Sequence, residues 1–158
     1  MKTLLRPLAA FAVMVSITAI SLAAGSDPVV GTWTLDLSKS TFPAGMAPKS
    51  QTRTYSQSGP SITLVMKTVG ADGKEATTQT TYQLDGKDYP ITGASDYDTL
   101  TAKQVNPRTA SFTLKKGAKA VGSTNRTISK DGKMLTSKTS VTTAKGDKSE
   151  STMVFNKQ

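Results

Sequence analysis

The stretch DPVVGTWTLDLSKSTF, residues 27–42, carries the single tryptophan of the 158-residue chain, two positions after a glycine. It stands at the head of what reads as the first strand, 29–36. A large flat side chain there suits the tapering end of a closed barrel, where the first strand must meet the last. A nearby glycine lets the backbone pass close beneath it. The fold therefore turns on whether the rest of the chain supplies the strands of such a barrel.

From Ser50 onward the chain is rich in Thr, Ser and Val and poor in Leu, Ala and Glu. β-Branched residues suit a pleated surface better than a helix. Turn chemistry recurs at ADGK (71–74), DGK (85–87), NPR (106–108), KKGAK (115–119), KDGK (130–133) and AKGD (144–147). Asp-Gly is the strongest of these signals, because a tight hairpin needs positive φ at its centre. The spacing predicts strands over 29–36, 50–57, 61–70, 75–84, 97–105, 109–115, 119–129, 134–143 and 148–156. Ile62, Leu64 and Met66 share one strand face, as do Thr78, Thr80, Tyr82 and Leu84, while Phe112 goes with Leu114 and Met153 with Phe155. Several strands lack a strongly apolar face. A sandwich core asks for more bulk on its inner faces, whereas a barrel lumen tolerates semi-polar walls. The expectation is an all-β, antiparallel up-and-down barrel of about 8–10 strands.

The start of the chain is of a different character. Lys2 and Arg6 precede an uncharged run from Pro7 to Ala24, and small residues at Ser21, Ala23 and Ala24 offer a peptidase site. That pattern is a secretory signal peptide. It divides the chain into a signal over 1–26 and one barrel domain over 27–158, with a periplasmic or secreted product and no stable membrane span after cleavage. With Lys2 and Arg6 removed, 18 basic residues remain against 11 acidic ones, a net charge of +7. Lysines at Lys74, Lys87, Lys130, Lys133, Lys145 and Lys148 are scattered over turns, which is not the clustered stripe of a nucleic-acid surface.

The absence of His removes the default general base, and the absence of Cys removes thiolate chemistry. No enzymatic role and no cofactor is expected. The acidic constellation DGKDYPITGASDYD, 85–98, reads as corner chemistry, with Asp-Gly turning the chain, Pro90 holding Tyr89 extended and Asp96 capping the next strand. Asp96 and Asp98 are expected to serve that corner and to bind no metal. The irregular stretch STFPAGMAPKS, 40–50, is either a lid carrying Phe42 and Met46 over an opening or a loop tucked against the barrel.

Gly31-Thr32-Trp33 resembles the Gly-X-Trp of the calycins, the group of lipocalins and fatty-acid-binding proteins. Ser95-Asp96-Tyr97 is similar to the Thr-Asp-Tyr motif of lipocalins. The blocks GTWTLDLSKSTF (31–42) and DGKDYPITGASDYDTL (85–100) resemble those of small exported bacterial lipocalin-like proteins. The lipocalin pattern also places an Arg near the last strand to pack across the Trp, and here no Arg follows Arg126. The Arg-X-Tyr triplet of fatty-acid-binding proteins has its nearest counterpart in Arg126-Thr127-Ile128, which lacks the Tyr. The resemblance implies a barrel binding a small, mainly hydrophobic molecule. Trp33, Tyr55, Met66, Tyr82, Phe112 and Met153 are the candidate lining, with Arg126 as an anion partner. The alternative is a structural or interaction protein of the cell envelope whose barrel is filled by its own side chains.

Overall fold

In the computed structural model, which describes residues 25–142 and 146–158, ten strands close into one antiparallel barrel. They are β1 (Gly31–Leu35), β2 (Ser50–Ser58), β3 (Ser61–Val69), β4 (Glu75–Tyr82), β5 (Asp85–Thr92), β6 (Thr99–Asn106), β7 (Thr109–Lys116), β8 (Lys119–Ile128), β9 (Met134–Thr142) and β10 (Lys148–Lys157). Each strand pairs with its sequence neighbours, and β1 pairs with β10 to close the ring. The expected signal segment lies outside the described residues, apart from Gly25 and Ser26.

Nine of the strands coincide with the turn-based expectation to within a few residues, and the tenth corrects it. Residues 85–92, expected as a turn and a corner, form β5. Only Gln83 and Leu84 separate it from the end of β4. Asp85-Gly86-Lys87 is a bulge, where the pairing with β6 shifts register and Gly86 adopts φ +79°. Two features disguised this strand. Asp-Gly supplies positive φ to a bulge as readily as to a hairpin. Pro90, which cannot donate to a ladder, lies in a strand joined to β4 by only two register pairs.

Period-two alternation decides which side chains face inward. Gln51, Arg53 and Tyr55 of β2, and Leu135 and Ser137 of β9, are all buried. One end of the barrel is filled. Val29, Trp33, Ile62, Tyr82, Ile128, Leu135 and Phe155 are all at most 2% exposed there. Trp33 is fully enclosed, and its Nε1 donates to the Val29 carbonyl at 2.7 Å, so the segment before β1 folds under the barrel as part of the floor. Trp33 stands opposite Lys157 in the β1–β10 pairing, and the Lys157 Nζ lies 5.1 Å from the centre of the indole ring. A Cβ at Gly31 would stand 2.8 Å from Lys157 Cε. Glycine is needed at 31 because its φ of +132° is one that side-chain-bearing residues rarely adopt, while the flexible Lys157 side chain crosses close by on its way to the tryptophan. A cation from the last strand does cover the Trp, and it is a lysine.

The loop from residue 36 to 49 does not form a lid. After a short 3₁₀ turn at Leu37–Lys39 it runs along β10, exchanging two backbone hydrogen bonds between Thr41 and Thr152 at 2.7 and 2.9 Å. Ser40 Oγ accepts from the Val154 amide at 2.9 Å. Phe42 is half-buried and Met46 is 58% exposed. The tucked alternative is the one realised, because β1 leaves most of the β10 edge unpaired and the loop covers it.

Candidate functional site

Above the filled floor the lumen holds a cavity of about 170 Å³. Six of the seven residues singled out from the sequence border it, namely Tyr55, Met66, Tyr82, Phe112, Arg126 and Met153. Trp33 does not. It belongs to the packed floor, because its ring is enclosed by its neighbours and capped by Lys157.

Further wall residues were not picked out in advance: Gln51, Arg53, Leu64, Thr80, Tyr97, Leu100 and Ser137 among them. The signal for Gln51 and Arg53 was present, since both share the alternation of Tyr55 along β2. A charged residue at an inward position reads as an outward one until the register is known. Threonines from β4, β8 and β9 also line the cavity, so the semi-polar wall expected from the sequence is present. Tyr97, from the Ser-Asp-Tyr stretch, comes from the loop before β6 and packs against the core.

Two guanidiniums are built into this interior, and their surroundings differ. Arg126 is 4% exposed. Its Nη1 donates to the Tyr82 hydroxyl at 2.8 Å, and its Nη2 lies 3.8 Å from a carboxylate oxygen of Asp27. Its Cζ stands 5.6 Å from the Tyr55 ring centre and 5.4 Å from that of Phe112, within cation–π range. Burial works against the charge on Arg126, but Tyr82, Tyr55 and Asp27 outweigh it and hold its pKa above the ordinary value. Burial likewise pushes the Tyr82 hydroxyl well above the usual phenol range, although Arg126 pulls the other way. Tyr82 also meets Phe112 edge to face, with ring centres 5.5 Å apart.

Arg53 is 7% exposed, and its Cζ lies 4.3 Å from the centre of the Phe155 ring. Its Nε donates to Gln51 Oε1 at 2.9 Å and its Nη2 to the Met153 sulfur at 3.7 Å. Gln51 is in turn fixed by donating from Nε2 to Thr68 Oγ1 at 2.9 Å. Burial raises the pKa of Tyr97, with the charge of Arg53 opposing it. Among the described residues, two buried polar atoms on the wall have no hydrogen-bond partner: Arg126 Nε and Ser137 Oγ.

The acidic stretch lies away from this interior chemistry. Asp98 receives the Gly117 amide at 3.1 and 3.2 Å and the Thr99 hydroxyl at 3.0 Å, with Lys116 at 3.8 Å. It thereby ties the loop before β6 to the β7–β8 turn. Asp88 holds Lys115 through both oxygens, at 2.7 and 2.8 Å. Asp96, expected to cap the next strand, is exposed and, among the described residues, receives only the Ser95 hydroxyl at 3.3 Å; the corner is carried by Asp98.

No protein-family model matches the chain, and no curated protein matches it. Among solved structures it is similar to a redesigned β-barrel, mFAP1, bound to DFHBI. The two are 15% identical over 82% of this chain and 95% of that one, with a TM-score of 0.46.

Proposed function

We propose that the barrel binds a small, mainly hydrophobic molecule in its lumen, and that it does so as an exported binding protein and not as an enzyme. The observation that carries this reading is the cavity above the Trp33 floor. Its walls combine aromatic and thioether surface from Tyr55, Met66, Phe112 and Met153 with a few convergent polar groups, which is the usual make-up of a small-molecule site. The uncharged run from Pro7 to Ala24 supports export to the periplasm or beyond. The lack of His and Cys favours binding over catalysis. The cavity is smaller than the roughly 300–1,000 Å³ of common ligand pockets, which favours a compact occupant and keeps the filled envelope barrel as the competing reading.

Native mass spectrometry of protein purified from its own host tests this. The expected result is a mass above that of the chain alone, lost on denaturation and recovered as a small molecule by solvent extraction. A bare chain mass, with nothing extracted, overturns the reading in favour of the filled barrel. The same spectra give the N-terminus, expected between Ala23 and Ser26; a chain still beginning at Met1 overturns the proposed export.

A further inference from the structure

Successive turns of the barrel alternate between its two ends, and the charges divide unevenly between those ends. Away from Trp33, Lys39 meets Asp36 at 3.0 Å, Lys74 meets Asp72 at 3.4 Å and Lys116 meets Asp98 at 3.8 Å. The unpaired Lys119 and Lys148 share that end with Asp96, Asp147 and Glu150. At the Trp33 end the balance is lost. Lys103, Arg108, Lys130, Lys133 and Lys157 are exposed there, and none makes an ion pair among the described residues. The acids of this end are already engaged. Asp27 is turned in against Arg126, Asp85 holds Lys87, and Asp131 accepts from the Ser129 hydroxyl and the Lys133 amide of its own turn.

Backbone hydrogen bonds set four of the free cations on adjoining segments. The Ile128 amide donates to the Arg108 carbonyl at 2.8 Å, which joins the β6–β7 turn to the β8–β9 turn carrying Lys130 and Lys133. The Lys157 amide donates to the Lys133 carbonyl at 2.9 Å, which adds the end of β10. Two apolar side chains, Val105 and Met134, are exposed at the same end. Single exposed apolar residues are ordinary on a surface. Among unpaired cations they suit the headgroup boundary of a bilayer, where basic side chains hold the phosphates and apolar groups reach below them. A nucleic acid asks instead for arginine and stacking aromatics. Arg108 is the one arginine exposed at this end, and no aromatic is exposed among the described residues.

We propose that the Trp33 end of the barrel is a docking face for an anionic phospholipid surface, with Arg108 and the four lysines on headgroup phosphates and Val105 and Met134 at the interface. The contact is peripheral and electrostatic, and it does not depend on what the lumen holds. It also gives the barrel an orientation, with its floor on the bilayer and the opposite end turned away.

Co-sedimentation with vesicles of phosphatidylcholine, with and without about a third phosphatidylglycerol, tests this on protein purified from its own host. Wild type is compared with two variants of equal net charge. One carries Lys130→Glu and Lys133→Glu at the floor end, the other Lys119→Glu and Lys148→Glu at the opposite end; all four lysines are exposed. Wild type is expected to prefer the anionic vesicles and to leave them as salt is raised. The floor pair should lower that partition at least about tenfold further than the opposite pair does. Any contribution of residues 1–24 is common to all three proteins and cancels in the comparison. On wild type labelled with ¹³C at its methionine methyls, anionic vesicles should broaden Met134 and spare Met46, which is exposed on the 36–49 loop at the other end. Equal losses in the two variants would reduce the effect to net charge and overturn the docking face. So would an absence of preference for anionic vesicles, or broadening of Met46 without Met134. A DNA duplex that displaces the protein from the vesicles would assign the face to nucleic acid and overturn the lipid reading.

Discussion

Trp33 shows how one residue can hold several links at once. Its ring fills the floor, its Nε1 anchors Val29, and its face receives Lys157. Removing a fully buried aromatic costs about 3–5 kcal/mol, a large part of the roughly 5–15 kcal/mol that holds a domain folded. Trp33→Ala is therefore expected to unfold the protein or nearly so. Trp33→Phe should keep the fold and lose the indole hydrogen bond, worth about 0.5–1.5 kcal/mol. Wild-type emission should be blue-shifted and protected from iodide. Urea denaturation of both variants, with quenching of the wild type, checks the expectation; a water-like, freely quenched spectrum contradicts the buried floor.

At the scale of elements, the β1–β10 seam is the least paired strand contact apart from β4–β5. Three register pairs join the two strands, against nine between β9 and β10. The loop after β1 compensates by continuing along β10 through Asp36, Ser40 and Thr41. Thr41→Pro deletes the amide that bonds Thr152 O at 2.7 Å. The expected cost is about 1 kcal/mol, the net value of a typical hydrogen bond. Hydrogen exchange should reveal the change locally, with lost protection at the Thr152 and Val154 amides and unchanged protection in β2 and β3. If exchange accelerates evenly around the ring, the loop is not a separate closure of the seam.

For the whole molecule, stability should depend on acid. Asp98 is held below the usual carboxylate range chiefly by the Gly117 amide, and Asp88 chiefly by Lys115. Asp36 is lowered first by Ser38, Asp85 by the Lys87 amide and Asp131 by Ser129. Each carboxyl binds its proton more weakly folded than unfolded, so its stabilising share is present above the unfolded pKa of about 3.9. That share is lost as pH falls through the lower folded values. The urea midpoint should stay level from pH 7 towards pH 5 and decline steeply below about pH 4. Asp98→Asn together with Asp88→Asn should make the decline shallower. Asp36, Asp85 and Asp131 keep the remaining part of the limb; a decline of unchanged steepness after the double substitution would assign it to them and not to Asp98 and Asp88.

What the sequence determined was local in its physics. Turn residues and β-branched runs marked nine strands and their hairpins, because positive φ at Gly and the pleat of Thr and Val are properties of short segments. The single Trp after a Gly indicated closure, since few places in a β fold take so large a plug beside so small a residue. The tertiary structure decided everything that depends on which strand lies across from which. It turned Asp85-Gly86 from a hairpin into a bulge and brought Lys157 over Trp33, two residues 124 positions apart. It sent the 36–49 loop along β10 and assigned the corner to Asp98. It also enclosed Arg53, which looks like any surface arginine when read along the chain. Closing the ring fixes which face of each strand is inside, and only then does an arginine two residues from a tyrosine become a buried charge in a lumen.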